Sequence, residues 1–494
     1  MVALLTTFGI LGLARNESEG ADKFTGELER NVKLRVLEND TAKEMGYLDE
    51  LLDAFNKKYA SYGIKAEDAN MDQYIDLEKD GPYGYGPDIL YQANDALMKY
   101  TDGKHIQPLP VEALDCYDEV SEQAWSAYAA SYAGEDYIFG VPVNIQGPLL
   151  YYRKDLLPAD WQTAWDKDRN GVPDMVEYWT DLYAYSKQIK SESGGKKFGY
   201  MKSLFDPYFA MGYLFSYGGY IFGDEGRDTK DIGLSANESY KGASVIRQLA
   251  SSMNEDCIDD TITVNAYSMI GNGTYFATMT TPDVYTMFIS ELTREYMRRD
   301  KLDRAEAEKK AKENLIVADI PKLPESGDLE DRNGKTIDSV MMGGINGYAV
   351  SAYTKAPNAA LAFVDFATSY EMIMKRNQLL GIAPARADVA ESVGGLSETV
   401  NKNLVAGRIE VMPSVRAIAQ VWTPAQTFFP IWRKIPSARK RPEIHGGGRA
   451  QNRFEKSGRP DLRGDPRSRK GEISWQWKIS NIGSRQKRKA FPAF

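Results

Sequence analysis

Histidine and cysteine are scarce in this chain of 494 residues. The histidines are His105 and His445, and the cysteines are Cys116 and Cys257. Two histidines exclude a histidine-rich metal centre and leave little material for histidine-based acid–base catalysis. Two cysteines cannot form the disulfide framework of a small secreted domain, and we expect both to be free thiols. The length predicts two or three domains.

Positive charge is also scarce over most of the chain. Residues 1–432 contain 43 Lys and Arg against 65 Asp and Glu, whereas residues 433–494 contain 18 against 5. An acidic body excludes extensive phosphate contacts, so we expect no nucleic-acid partner and a neutral or cationic ligand. After Trp432 the apolar periodicity ends, which predicts disorder. Either a shifted reading frame or a genuine basic extension that contacts anionic lipid or cell-wall polymer explains such a tail.

The N-terminus contains a short uncharged apolar run, Met1–Ala14, which is too short to span a bilayer. It fits the apolar region of a secretory signal, with Gly12-Leu13-Ala14 as a cleavage site, although the usual positive charges before it are missing. A start codon placed too late or a buried N-terminal segment are the alternatives. We expect a secreted, cell-surface or periplasmic protein, and no cysteine before Cys116 supports a lipid anchor.

Apolar periodicity predicts an α/β protein. Residues 31–37 alternate as a strand, and apolar residues then recur at helical spacing from Leu48 to Tyr59. Glycine-bounded strands follow at 86–91 and 341–351, and Pro357 opens a helix. In open α/β sheets, ligands bind at the carboxyl ends of strands, which directs attention to the polar residues there.

The most informative segment is Val141–Pro158. It begins as an apolar strand, is interrupted by Gly147-Pro148, resumes as Leu149–Arg153, and closes in a charged turn and a proline. A segment of this kind can pass between two sheets. It resembles the crossover strand of family 1 extracellular solute-binding proteins, the sugar-binding components of ABC importers. The resemblance extends over Val32–Trp432 and is strongest to the maltose and maltodextrin binders.

The resemblance implies a two-lobed, type II periplasmic-binding-protein-like fold. Each lobe would be a mostly parallel sheet flanked by helices, with crossover strands as the hinge. Residues 1–30 would be a signal-like segment and linker, 31–143 with about 320–390 lobe 1, and 144–319 with about 391–432 lobe 2. A monomer would close on a sugar without covalent chemistry and deliver it to the permease subunits of an ABC transporter in the membrane.

The resemblance also implies a set of ligand-binding residues. Carboxylates and amides bind sugar hydroxyls, and aromatic rings stack on the C–H faces of a sugar. The alternative is that the aromatic residues belong to the core and that Asp95 is a turn residue. The residues that match the family's motifs are Glu38, Asn39, Asp40, Lys43, Asp95, Gln146, Asp206, Tyr208, Tyr285 and Trp422.

Departures from the maltodextrin-binding pattern concern the stacking residues and the arginines. Asp283 and Gln92 stand where that group has tryptophans, and Ala96 and Gln426 stand where it has arginines. Gln146 replaces a glutamate that is usual on the crossover strand. A thinner aromatic wall favours a shorter or different oligosaccharide over a long α-glucan.

A second chemical signal follows the crossover segment, at residues 166–177. Oxygen-bearing residues occupy positions 1, 3, 5, 9 and 12 of this stretch, and Gly171 occupies position 6, which is the spacing of an EF-hand calcium loop. Pro173 departs from that pattern, and a solvated acidic turn is the alternative. A single loop predicts a structural calcium site. Its ligands would be Asp166, Asp168, Asn170, the Val172 carbonyl, Asp174 and Glu177.

Three classes of function are therefore compatible with the sequence. The first is a sugar-binding transport protein that closes around its ligand. The second is a glycoside-processing enzyme, which needs two acids at a set separation, and no sequence motif marks such a pair. The third is a calcium-responsive interaction protein, which the single loop makes less favourable.

Overall fold

The computed structural model describes residues 23–72, 75–132, 135–203, 206–254 and 261–432. The signal-like segment 1–22, Cys257 and the basic tail lie outside these ranges, and the predictions made for them stay predictions. Cys116 is buried and has a free thiol.

The strands are short except for one that spans ten residues. In chain order they are β1 Lys33–Leu37, β2 Lys65–Asp68, β3 Ile89–Ala93, β4 Ala129–Tyr132, β5 Glu135–Ile138, β6 Val141–Gln146, β7 Leu149–Arg153, β8 Phe198–Tyr200, β9 Asp228–Ile232, β10 Tyr275–Thr280, β11 Leu315–Ala318, β12 Leu323–Pro324, β13 Thr336–Ile337, β14 Met341–Val350, β15 Ala383–Pro384 and β16 Ile409–Val411.

Within the described ranges these strands form two large sheets. The seven-stranded sheet has the order β15-β6-β14-β3-β1-β2, with β16 paired to β14. The four-stranded sheet has the order β11-β7-β10-β8. Hairpins of β4 with β5 and of β12 with β13 are separate from both. Two sheets within one chain are the basis of a two-lobed protein, although the exact lobe boundaries stay a prediction.

The crossover segment joins the two sheets as its sequence predicts. β6 pairs with β14 in the seven-stranded sheet, and β7 pairs with β10 and β11 in the four-stranded sheet. Gly147 and Pro148 lie between them. A Cβ atom on Gly147 would come within 2.3 Å of Ile409 Cδ1, so close packing at the junction explains the glycine.

The sheets are mixed, which corrects the expectation that they are mostly parallel. β1 is parallel to β2 and to β3, but β14 is antiparallel to both β3 and β6. In the smaller sheet β10 is parallel to β8 and antiparallel to β7. Because β6 carries the chain out of the seven-stranded sheet and β14 carries it back, these two neighbours must run in opposite directions.

The helices bury one apolar face against the sheets. In Tyr47–Lys58, for example, Leu48, Leu51 and Phe55 are buried while the charged residues stay at the surface. No helix of the described residues is long and apolar enough to cross a membrane. The main helices are Asp40–Glu44, Tyr47–Lys58, Leu77–Asp80, Asn94–Met98, Glu122–Ser126, Trp161–Ala164, Asp174–Glu177, Trp179–Glu192, Pro207–Phe215, Ser239–Ser252, Thr261–Gly271, Tyr285–Asp300, Arg304–Asn314, Pro357–Ala367, Tyr370–Leu380, Ala387–Val393, Gly395–Val405 and Trp422–Trp432.

Candidate functional site

Polar residues follow the carboxyl ends of strands in both sheets. In the seven-stranded sheet, β3 ends directly before Asn94 and Asp95. In the four-stranded sheet, β8 is followed by Lys202 and β10 by Asp283. Ligands of α/β proteins bind at the carboxyl ends of parallel strands, so these residues are the first candidates for a ligand site.

Asp95 and Trp422 lie together although 327 positions separate them in the chain. The indole of Trp422 hydrogen-bonds to the Asp95 carboxylate. Burial raises the pKa of Asp95, and hydrogen bonds from the Ala96 backbone and from Trp422 act against that rise. Trp422 begins the helix Trp422–Trp432 and is partly buried. Two of the predicted ligand-binding residues are thus in direct contact.

Tyr208 brings two more predicted residues into the same place. Its hydroxyl donates a hydrogen bond to the carbonyl of Gln146, the last residue of β6. Asp206 caps the helix Pro207–Phe215 by accepting a hydrogen bond from the Tyr208 N–H at 3.1 Å, which fixes the start of that helix. Burial raises the pKa of the Tyr208 hydroxyl, and the negative charges of Asp206 and Asp95 raise it further. Asp95, Gln146, Asp206, Tyr208 and Trp422 therefore form one cluster where the two sheets meet.

Lys202 is a member of this cluster that the sequence interpretation missed. Its side chain is buried, and its Nζ lies 3.2 Å from the centroid of the Phe209 ring. Burial lowers the pKa of Lys202 to about 8, against the opposing effect of Asp206 and Asp283. The only sequence signal for it is a lysine embedded in the aromatic stretch that leads to Asp206.

Asp283 and Tyr285 lie on the side of the cluster formed by the four-stranded sheet. Asp283 Oδ1 is buried and has no hydrogen-bond partner, and burial raises the pKa of this carboxyl group. Tyr285, which begins the helix Tyr285–Asp300, is partly buried. Burial raises the pKa of the nearby Tyr151, and negative charge on Asp283 or Tyr285 raises it further. The Asp283 carboxylate thus has an unused acceptor.

The residues that follow β1 occupy different positions from those expected. Glu38 is completely buried, and Arg376 donates to both of its carboxylate oxygens, at 2.8 and 2.9 Å. It belongs to the core, which differs from the expectation that it contacts a ligand. Asn39 accepts a hydrogen bond from the Ala42 N–H at 2.8 Å and caps the helix Asp40–Glu44.

The next two predicted residues lie nearer the surface. Asp40 is exposed, and Lys43 Nζ pairs with Oδ1 of Asp68, the last residue of β2, at 3.2 Å. Asn94, which the sequence interpretation did not single out, connects to the cluster around Tyr208. Asn94 Nδ2 donates to the Met412 carbonyl and to Ser414 Oγ, both at 2.9 Å, and so holds the segment before Trp422.

The cluster has the chemistry of a site for a neutral polyhydroxylated molecule. It combines carboxylate and carbonyl acceptors, one ammonium donor, and the rings of Tyr208, Tyr285 and Trp422. These three rings pack against the core but stay partly exposed, so they are available for stacking as well as for packing. The excess of carboxylates over cations disfavours an anionic ligand.

The predicted calcium loop is a separate region on the chain after β7. Asp166 and Asp174 are buried, Glu177 is partly buried, and Asp168 and Asn170 are exposed. The pKa values of Asp174 and Glu177 are raised, mainly by burial and further by neighbouring carboxylates. Across the described ranges, no three His, Cys, Asp or Glu side chains already stand close enough together to hold a metal ion.

The family model of the bacterial extracellular solute-binding proteins matches residues 50–403. Among curated proteins, the galactooligosaccharide-binding protein of Bacillus subtilis is 26% identical over 405 residues, which cover 79% of this chain and 82% of that protein. The maltodextrin-binding protein MdxE of the same organism is 24% identical over 430 residues, which cover 86% of this chain and 90% of that protein.

Solved structures of the same kind share the fold. The maltose-binding periplasmic protein MalE of Listeria monocytogenes, in complex with maltose, aligns with a TM-score of 0.63 at 20% identity and covers 93% of this chain and 99% of its own. MalX of Streptococcus pneumoniae, in complex with maltopentaose, aligns with a TM-score of 0.61 at 21% identity and covers 82% and 94%. The predictions of the α/β fold and of the family resemblance are confirmed.

Proposed function

Because the chain belongs to the bacterial extracellular solute-binding protein family, we propose that it captures a neutral oligosaccharide, maltodextrin-like in size and polarity, and delivers it to an ABC importer. The observation that carries this proposal is the cluster of Asp95, Gln146, Tyr208 and Trp422, since these residues come from both sides of the β6–β7 crossover. Relatives whose names specify galactooligosaccharide and maltodextrin support the choice of ligand class.

The mechanism would be closure of the two lobes without covalent chemistry. A ligand that contacts the carboxyl ends of strands in both sheets stabilises the closed arrangement more than the open one. That difference in affinity is all that is needed to shift the population. The closed form of a monomer would then be recognised by the permease subunits in the membrane.

We expect the protein to work on the outer side of the membrane. Two relatives from Streptococcus pneumoniae, each 24% identical to this chain, are named maltooligosaccharide ABC transporter solute-binding lipoproteins. The apolar segment at Met1–Ala14 would then act in export, and fractionation of cells that express the full chain would test this location.

Isothermal titration of the purified full chain with malto-, xylo-, fructo- and galacto-oligosaccharides tests the proposal. We expect one ligand per chain for at least one series, with a dissociation constant in the micromolar range or below, about −8 kcal/mol. No heat with any series would contradict sugar binding. Chromatography of the same mixtures after long incubation tests the enzyme alternative, because shorter products would show hydrolysis.

A further inference from the structure

The loop 166–177 encloses polar groups that the proposed sugar capture does not use. Gly171, at its centre, has a φ of +82°, a conformation that favours glycine, and its N–H donates to Asp166 Oδ2 at 3.2 Å. The Asp166 carboxylate therefore points into the loop. Asp166 is only 8% exposed.

The other carboxylate oxygen of Asp166 accepts no hydrogen bond. Asp166 Oδ1 is buried and has no hydrogen-bond partner. A buried carboxylate oxygen without a donor is costly in a folded protein, and its position among the other oxygen atoms of the loop favours the binding of a cation.

A weak donor now occupies the space between two other carboxylates of the loop. Asn170 Nδ2 lies 2.9 and 3.1 Å from the two Glu177 oxygens and 3.2 Å from Asp168 Oδ2. An amide group that donates to three carboxylate oxygens stands where a cation is more strongly favoured. Asn170 Oδ1 accepts a hydrogen bond from the Val172 N–H at 2.7 Å, and rotation of the amide would exchange that bond for a place as another oxygen ligand in the same space.

Two nearby basic side chains pair with a carboxylate outside the expected ligand set. Lys167 Nζ lies 2.9 Å from Asp181 Oδ1, and Arg332 Nε donates to the same oxygen at 2.9 Å. Asp181 thus takes both cations, although it is not one of the expected ligands. The carboxylates of the loop therefore keep a net negative charge in a partly buried place.

We propose that the loop 166–177 binds one calcium ion. The ligands would be Asp166, Asp168, Asn170, the Val172 carbonyl, Asp174 and Glu177. An all-oxygen set of this size with several carboxylates suits Ca²⁺, which takes six to eight oxygens in flexible geometry, and suits Mg²⁺ or Zn²⁺ less well. The ion would draw the side chains together, since no three of them stand in that arrangement by themselves.

The ion would stiffen the start of the region after the crossover. Directly beyond the loop, the Lys322 N–H donates to the Glu177 carbonyl at 2.8 Å, and the Trp179 N–H donates to the Lys322 carbonyl at 3.0 Å. Calcium at the loop would thus fix the ends of Asp174–Glu177 and Trp179–Glu192 against the segment that leads to β12. This role does not depend on what the cluster around Tyr208 binds.

Terbium luminescence on the full chain tests the site, because Trp165 directly precedes Asp166 and can transfer excitation to a bound Tb³⁺. After chelator treatment, we expect saturable emission that Ca²⁺ displaces with a dissociation constant between about 10⁻⁷ and 10⁻³ M and that equimolar Mg²⁺ does not displace.

Asp166→Asn and Glu177→Gln should each weaken Ca²⁺ affinity by about 100-fold or more, because even lost outer-shell partners cost about 10- to 100-fold. Asp160→Asn, an exposed aspartate before the loop, is the matched control and should bind as the wild type does.

Thermal melting separates a calcium site from a purely structural loop. Without calcium, Asp166→Asn should melt no lower than the wild type, since it removes one of several mutually repelling charges. With calcium, only the wild type and Asp160→Asn should melt at higher temperature. Absence of sensitised emission and of any calcium-dependent melting shift in the wild type would overturn the proposal, and so would equal calcium affinity of Asp166→Asn and Asp160→Asn.

Discussion

The two sheets differ in how they treat buried charge at the carboxyl ends of their strands. Beyond β1, Glu38 is matched by Arg376 on both oxygens, and the guanidinium also lies 4.0 Å from the Tyr91 ring centroid. Beyond β8 and β10, Lys202 faces an aromatic ring, and Asp283 keeps a buried oxygen without a partner. Glu38 and Arg376 satisfy each other within the fold, whereas Lys202 and Asp283 retain hydrogen-bonding capacity in the cluster around Tyr208, which we propose as the ligand site.

Breaking the matched pair should have the largest effect on stability. Glu38→Gln leaves the Arg376 guanidinium buried without its counter-charge, and we expect the free energy of unfolding to fall by about 3–5 kcal/mol. Urea denaturation followed by circular dichroism measures this loss. The control is Glu398→Gln, which removes an exposed pair with Lys402 and should cost at most about 1 kcal/mol. Equal losses in the two variants would show that Glu38 is not a structural charge.

Removing the unmatched ammonium of Lys202 should increase the free energy of unfolding at neutral pH, in contrast to the loss expected for Glu38→Gln. The pKa of Lys202 is lowered from 10.5 to about 8 in the folded protein, so the unfolded chain binds more protons between these values. The cost of the buried charge is complete below pH 8 and disappears as the pH rises to about 10.5. We expect the stability of Lys202→Met relative to wild type to decrease across this window by on the order of 3 kcal/mol.

Denaturant titrations at several pH values between 7 and 10.5 measure that difference. Comparison with the wild type at each pH cancels the titration of the other groups. Lys197→Met, at an exposed position near β8, is the matched control and should show no such trend. A stability difference for Lys202→Met that stays constant with pH would mean that the ammonium is not penalised by burial.

The smallest expected effect concerns the junction between the two sheets. In Gly147→Ala the new methyl group would meet Ile409 Cδ1, and we expect a loss of about 1–3 kcal/mol from overpacking. Ile409→Val removes Cδ1, so the double variant should recover part of the loss, with a coupling energy of about 0.5–3 kcal/mol. Strictly additive losses in urea denaturation would show that the two residues do not constrain each other.

Local patterns in the sequence predicted the parts of the fold that depend on neighbouring residues. The apolar run of Val141–Pro158 and its Gly147-Pro148 interruption predicted a segment that joins two sheets, and β6 and β7 confirm it. The direction of β14 could not be predicted in this way, because it depends on how the chain returns from the second sheet. The sheets are mixed for that reason.

The site residues also divide into those that local sequence patterns predict and those that depend on contacts between distant parts of the chain. The order of the motifs around Asp95, Tyr208 and Trp422 predicted a set that the structure brings together. Its place after the first strand predicts Glu38 as a ligand contact, and its partner Arg376 lies 338 positions away with no local signal that connects them. Lys202 was missed because burial of a lysine beside an aromatic ring is a property of the packed cluster and not of the residues next to it in sequence.

Titration of Trp422→Ala with the oligosaccharide that the wild type binds best tests the central claim most directly, because this ring is expected to stack on the sugar and to orient Asp95. We expect an affinity loss of about 30-fold, equivalent to about 2 kcal/mol, while circular dichroism still shows a cooperatively folded protein. Tyr83→Ala, which removes an aromatic ring that is 78% exposed, should bind as the wild type does. Wild-type affinity in Trp422→Ala would contradict a binding site at the junction of the two sheets.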